Sequence, residues 1–271
     1  MQEKQVAVLI DGDNISPKYA EYIREEAARL GRIKILRLYG SISSSSVRAW
    51  YKVMPKYGIM PMLQLDYILG KSIADQAMTI DTMDILFAGE VDIICLVTSD
   101  CDFTKLAYRI KESGKEVVGM GEQKTNEAFA KACDEFKVLD LIYSVQENEE
   151  KEETDLEDTV EPGEADVPEE EEEADETKTI NIPTEEEIVD SILNILDDDW
   201  ENLAGVGVTL NKQILGFDSR NYGYKNMTQF IKGHRDKFEL NVKMAKDGIH
   251  RVVYIKKRKM ENDEISLLEE V

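Results

Sequence analysis

The 271-residue sequence predicts a three-layer α/β domain built on a parallel sheet, an acidic segment, and then a small winged helix. Three observations predict this. Short apolar runs alternate with helical stretches of ten or more residues through the first half, the pattern of a parallel sheet with crossover helices. The first and fourth of these runs stop abruptly on acids, at Asp11 and at Asp100. Charge then changes sign along the chain: Glu147–Glu176 holds 18 acids against one base, Lys151, whereas Lys212–Lys259 holds 13 Lys or Arg against four acids.

The elements follow in order. Val6 to Ile10 is a buried strand ending on Asp11, and parallel sheets place their ligand chemistry just past the carboxyl ends of strands. Ser16 as N-cap and Pro17 in the first turn start a helix that runs to Leu30 and ends at Gly31. Ile33 to Tyr39 is the second strand. Ser43 to Ser46 cap a single helix carrying Val47, Trp50, Tyr51 and Met54, closed by Pro55 and Gly58. Ile59 to Leu65 is the third strand. Gly70-Lys71-Ser72 opens a helix over Ala74 to Phe87, whose Ala77, Met78, Ile80, Met83, Ile85 and Leu86 suit burial against a sheet. The most hydrophobic strand, Val91 to Val97, runs into Thr98-Ser99-Asp100-Cys101-Asp102-Phe103. A helix through Lys111, a strand at Glu116–Met120, a helix near Asn126–Cys133 and a short strand at Phe136–Leu139 complete a domain of residues 1–146.

Residues 147–180 hold few aromatic or β-branched residues and include five consecutive glutamates, so they are expected to form a disordered, extended linker. Mimicry of nucleic acid against a basic groove is the functional alternative. The second domain spans 181–259. Thr184 followed by Glu187 reads as a capping box for a helix carrying Ile188, Ile192, Leu193 and Leu196. Helices at Leu210–Leu215 and Met227–Lys232 precede strands Phe238–Val242 and Ile249–Ile255, separated by the turn signal Asp247-Gly248. Three helices and a hairpin describe a winged helix. Residues 260–271 form an acidic tail.

Composition excludes several classes. Three cysteines, Cys95, Cys101 and Cys133, and two histidines match neither a zinc site nor a disulfide framework, which points to reduced thiols in a cytoplasmic protein. Met1-Gln2-Glu3-Lys4 leads directly into a strand, and no apolar stretch approaches the roughly 18 residues that span a bilayer, so neither secretion nor membrane association is expected. Whole-chain acidity conceals the basic module, which suits a polyanionic partner.

Asp11, Asp13, Asp75, Asp81, Asp84, Asp100 and Asp102 are the candidate chemical groups. Ionised carboxylates gathered at one sheet edge repel one another unless a cation sits among them. Mg²⁺ or Mn²⁺ answers that need, being hard cations that bind carboxylate, water and phosphate oxygens. Such a metal suits phosphodiester hydrolysis without an activated Ser, Cys or His. Each acid also has a structural reading, as turn former, helix cap or solvated helix face. Asn14 suits either a phosphate contact or a helix cap. Lys71 and Arg37 suit phosphate contacts, or for Lys71 a pair with Asp75.

Ile10-Asp11-Gly12-Asp13-Asn14, then Gly70-Lys71-x-x-x-Asp75 with Asp81, then Thr98-Ser99-Asp100-Cys101-Asp102-Phe103, resembles the NYN domain, a branch of the PIN-like nucleases. Gly119-x-Gly121-Glu122-Gln123-Lys124-Thr125 and Ala132-Cys133-Asp134-x-Phe136 resemble its LabA-like subgroup. The resemblance implies a metal-dependent ribonuclease, with Asp11, Asp75, Asp100 and Asp102 around Mg²⁺ or Mn²⁺ and with Asn14 and Asp81 close by. Ser41 stands where an Asp is common after Tyr-Gly, and Cys101 where Ser or Gly is more usual.

Gly216-Phe217-Asp218-Ser219-Arg220-Asn221-Tyr222-Gly223-Tyr224, with Phe230 and Phe238-Glu239-Leu240, resembles the OST-HTH or LOTUS domain, a winged helix associated with RNA. Arg220, Lys225 and Lys232 beside Tyr222 and Tyr224 offer phosphate contacts and stacking surfaces, with Phe230 and at least one tyrosine as core alternatives. The expected function is a ribonuclease that captures RNA through its winged helix. The alternative is a non-catalytic RNA-binding adaptor with a vestigial acidic pocket. A haloacid-dehalogenase-type phosphatase, suggested by Asp11-x-Asp13, is disfavoured by Ile15, which stands where Thr or Val is general. Protein partners and homo-oligomerisation stay open.

Overall fold

Five aliphatic residues in succession, Val6 to Ile10, form the middle of β1 (Gln5–Asp11), and all five are fully buried. Burial on both faces requires strands on each side and a helical layer above and below. The computed structural model describes residues 3–65, 73–143, 180–197, 199–244 and 251–258. Gly70 and Lys71, the expected linker up to residue 179, the Asp247-Gly248 turn, Lys259 and the acidic tail lie outside the described residues. Two units separate, Met1–Ile182 and Pro183–Val271.

In the first unit β1 is joined by β2 (Arg32–Ser41), β3 (Met60–Gln64), β4 (Ile93–Val97), β5 (Glu116–Gly121) and β6 (Glu135–Val138). All pair in parallel, in the order β3-β2-β1-β4-β5-β6. Helix α1 (Ala20–Leu30) turns Ala20, Ile23 and Ala27 inward, where Ile23 joins Val8, Ile10, Trp50 and Val97 in one cluster. Ser16 occupies the N-cap position before Pro17 without a side-chain bond, so Pro17, rather than a Ser16 cap, starts the entry turn.

The single helix expected after the serines is two helices, α2 (Ser45–Trp50) and α3 (Val53–Tyr57). Pro55 cannot donate to the Tyr51 carbonyl, so the first helix stops at Trp50 and a second starts at Val53. Ser44 caps α2, and Gly58, at φ 69°, ends α3 in the left-handed conformation that glycine tolerates. Helix α4 (Ile73–Ala88) crosses β1, β2 and β3. Its buried stripe is Ala74, Met78, Thr82 and Ile85, which puts Ile80, expected inside, at 64% exposure. These residues lie outside the α1 cluster, so α4 covers the other sheet face. Helices α5 (Thr104–Glu112) and α6 (Glu127–Ala132) pack together and connect β4 to β5 and β5 to β6.

In the second unit α7 (Glu185–Ile195) opens with both bonds of the Thr184–Glu187 capping box. Helix α8 (Leu203–Gln213) begins seven residues before the expected Leu210: Asn202 caps it there, and the low helix propensity of Gly205 and Gly207 hides its first turns in the sequence. Helix α9 (Met227–Gly233) precedes β8 (Phe238–Met244) and β9 (Arg251–Lys257), and β7 (Glu201–Asn202) completes an antiparallel sheet in the order β7-β9-β8. Phe230, Phe238, Ile192 and Leu210 centre the core.

Candidate active site

Strand order reverses between β1 and β4, and open α/β sheets bind ligands in the crevice at such a switch point, beyond the strand carboxyl ends. Register places Asp11 beside Tyr39 of β2 and Ile10 beside Val97, so Asp11 and the loop after β4 meet at that crevice.

Asp11 is 4% exposed. One carboxylate oxygen accepts the Thr98 hydroxyl at 2.8 Å, and the other accepts the backbone N–H groups of Asp13 and Asn14, each at 3.2 Å. No Lys or Arg pairs with it among the described residues. Burial pushes its pKa up to about 7; Asp75 and Asp13 add to the rise, and the bonds from Thr98 and Asn14 oppose it. The group sits at an anionic position built of oxygen donors.

The loop after β4 is tied to this position. The Thr98 hydroxyl also accepts the Asp100 N–H at 3.1 Å, and Asp100 accepts the Asp102 N–H at 2.9 Å, capping a short turn at Cys101–Phe103. Ligand atoms of Asp100, Cys101 and Asp102 lie within 4.8 Å of one another, a set that does not include Asp11 or Asp75. The Asn14 side-chain oxygen accepts the Ser99 N–H at 3.1 Å, joining the β1 turn to the β4 loop. Asn14 therefore fastens two loops rather than capping a helix. In turn the Ser99 hydroxyl accepts the Glu122 N–H at 3.0 Å, which anchors the loop to β5.

Other acids have different partners. Both Asp81 oxygens accept from one Arg37 nitrogen, at 2.7 and 2.6 Å, and one also accepts the Tyr39 hydroxyl. Burial and Asp81 push the Tyr39 phenol well up, which keeps it a donor. Arg37 is thereby committed to Asp81. Asp13 accepts the Ser41 N–H at 2.9 Å, so it braces the β2 end. Asp75 stands in the first turn of α4, near enough to Asp11 to act on its charge.

Thr98 and Ser99 are the site residues that sequence reasoning passed over; their signal was two hydroxyl residues directly after a fully apolar strand. Thr98→Val removes the donor to Asp11 and the acceptor for Asp100. It should lower stability by about 1–3 kcal/mol, while Thr98→Ser restores it. Melting curves for the two variants check this.

The expected RNA contacts of the second unit are largely engaged internally. Arg220 donates to Asp218 through Nε at 2.9 Å and Nη2 at 2.6 Å. Tyr222 donates to the Pro183 carbonyl at 2.8 Å and Tyr224 to Glu185 at 2.7 Å, and both rings pack on Phe230. Lys225 and Lys232 are exposed.

A sequence profile of the NYN domain matches residues 5–140, half of the chain. The chain belongs to the NYN domain family. NYN domains are part of the PIN-like nuclease superfamily, whose members generally use divalent metals. A profile of the OST-HTH/LOTUS domain, an RNA-associated module, matches residues 183–246. An uncharacterized protein of Methanocaldococcus jannaschii is 28% identical over 125 residues, 45% of this chain and 49% of the relative. The chain thus spans about half the length of the curated relative it matches. A crystal structure of a protein of unknown function from Vibrio parahaemolyticus aligns at 21% identity over 50% of this chain and 94% of that one, with a TM-score of 0.42. A solution structure of an uncharacterized Nitrosomonas europaea protein aligns at 23% over 38% of this chain and 96% of that one, with a TM-score of 0.25. At those scores neither bears on function.

The NYN site residues fit a hard divalent cation. Asp11 is a buried carboxylate with no Lys or Arg paired to it among the described residues, and the loop tied to it through Thr98 brings the Asp100 and Asp102 oxygens together with the Cys101 thiol. No helix among the described residues is long and apolar enough to cross a membrane.

Proposed function

We propose that this chain is a cytoplasmic metal-dependent ribonuclease that hydrolyses RNA phosphodiester bonds with Mg²⁺ or Mn²⁺. Residues 1–146 would carry the chemistry and residues 181–259 would capture RNA, joined by the acidic segment 147–180 and followed by the tail 260–271. The observation that carries the reading is Asp11: a buried carboxylate with no Lys or Arg partner among the described residues, at the sheet's switch point, near Asp75 and hydrogen-bonded through Thr98 to the loop of Asp100 and Asp102.

Asp11, Asp75, Asp100 and Asp102 are the residues assigned to hold the metal. When bound, it supplies activation of water and stabilisation of charge on the phosphoryl group. Thr98 holds Asp11 and Asp100 in one frame, and Asn14 keeps the two loops from separating. Asp81, paired with Arg37 and Tyr39, positions the β2 end and is left out of the ligand set. Lys71 is assigned a backbone phosphate.

Ser41 supports a second reading, RNA binding without cleavage, because this position offers a hydroxyl where a further carboxylate is common in such domains; here its N–H braces Asp13. One experiment separates the two: purified chain with structured and unstructured RNAs, in Mn²⁺, Mg²⁺ or chelator, beside Asp100→Asn. The ribonuclease reading expects cleavage that requires metal and falls about 10²-fold or more in the variant. Binding without cleavage under every metal condition overturns it in favour of the adaptor.

A further inference from the structure

With Arg220 held by Asp218 and the rings of Tyr222 and Tyr224 packed on Phe230, the uncommitted cations of the second unit lie elsewhere. A depression of about 540 Å³ opens between the end of α9, strand β8 and the residue that follows β9. Lys232 comes from the last turn of α9, Arg235 from the turn that follows, and Arg258 from just beyond β9. All three are exposed, and among the described residues none has a carboxylate within ion-pair distance. Glu239 lines the same depression but pairs with none of them. Arg258 is held in place: its Nη1 donates to the Arg235 carbonyl at 2.7 Å and its backbone N–H to the Lys237 carbonyl at 2.8 Å. Its other guanidinium donors stay available.

Trp200 forms the aromatic wall. It is partly buried, stands outside the core cluster, and has neither a ring partner nor a hydrogen bond to its indole N–H among the described residues. A tryptophan that does not serve the core, beside three unpaired cations, has the composition of a single-stranded nucleic-acid subsite. There bases stack on aromatic faces and cations follow the backbone.

We infer that this depression is a nucleotide subsite for single-stranded RNA, in which one base stacks on Trp200 while Lys232, Arg235 and Arg258 take the flanking phosphates. The Asn241 side chain, on the same rim, offers an amide to the base edge. The inference rests on the second unit being the RNA-capturing part of the chain. Single strands are favoured over duplex because a concave pocket admits an unstacked base, whereas a duplex keeps its base faces covered. The acidic segment Glu147–Glu176 has the charge to compete for the cations but no base to stack.

The test uses the full chain carrying Asp11→Asn, so that RNA stays intact. The chain holds two tryptophans; Trp50 is fully buried with its indole bonded to the Ile15 carbonyl, so a surface event is read by Trp200. Titration with an unstructured ten-nucleotide oligouridylate should quench tryptophan emission and raise the anisotropy of a labelled strand. Trp200→Ala should weaken binding about tenfold or more, and Trp200→Phe, which keeps a stacking face, should lose the quenching but retain most of the affinity. Arg235→Ala should lower the slope of log affinity on log salt by about 0.7. Polyglutamate should leave emission unchanged. Unaltered affinity in Trp200→Ala, or equal quenching by polyglutamate, overturns the subsite. Failure of the unmodified chain to cleave RNA would sink the nuclease reading alone, because binding here is measured without cleavage.

Discussion

Asp11→Asn should cut the proposed metal-dependent RNA cleavage about 10³-fold and, in the same protein without metal, raise stability at alkaline pH. The two effects have one cause. Asp11 is 4% exposed, and burial, with Asp75 and Asp13 nearby, moves its pKa from 3.8 to about 7. In the unfolded chain the group ionises near its ordinary value. For an acid whose folded pKa is raised, stability is highest where both states are protonated and falls as pH rises through the interval between the two values. Above pH 7 the folded protein carries a buried charge at a cost of about 4 kcal/mol. Asparagine removes that cost and keeps the acceptor for the Asp13 and Asn14 N–H groups. In chelator at pH 8 the variant should melt several degrees higher, and the gain should shrink to about 0.5 kcal/mol near pH 4. Cleavage should fall about 10³-fold. Melting at the two pH values, with cleavage assayed in Mn²⁺, checks both halves. A variant less stable than its parent at pH 8 would show that the carboxylate is compensated by something other than a metal.

β1 was legible because an aliphatic run ending on an acid is a local signal, and the capping box at Thr184 and Glu187 was legible for the same reason. The parallel sheet followed from strands alternating with helices. What sequence could not show was partner choice across long separations. The bond from the Ser99 N–H to Asn14 joins residues 85 apart, and Arg37 meets Asp81 across 44. Asp81 therefore read as a further site acid, although it is held by β2. Arg37 read as a phosphate contact for the same reason. Ile80 read as core because apolar residues crowd α4 on more than one face; packing selected the stripe through Met78 and Ile85. In the second unit, Tyr222 and Tyr224 are amphipathic, and their sequence context serves a core role and a stacking role equally.

Phe230 decides between those two roles, and Phe230→Ala should unfold the second unit. Its side chain is fully buried and meets Phe217, Tyr222, Tyr224 and His234, with ring centroids 6.3, 5.9, 5.2 and 4.8 Å away. Truncating a buried phenylalanine costs about 3–5 kcal/mol. A domain of this size has little stability beyond that, since small domains bury a smaller share of their surface. Loss of near-ultraviolet dichroism and of the RNA-dependent quenching of Trp200 should accompany the change. The first unit shares no core residue with Phe230, so cleavage of short RNAs at saturating concentration should persist. Tyr222→Phe supplies the contrast: it keeps the ring against Phe230 and loses the bond to the Pro183 carbonyl, at about 1 kcal/mol. If Tyr222 serves the core, RNA affinity in that variant is unchanged while the melt shifts slightly. Retention of the second unit's melt in Phe230→Ala would show instead that the aromatic cluster is peripheral to folding, and it would return the tyrosines to the RNA-binding surface.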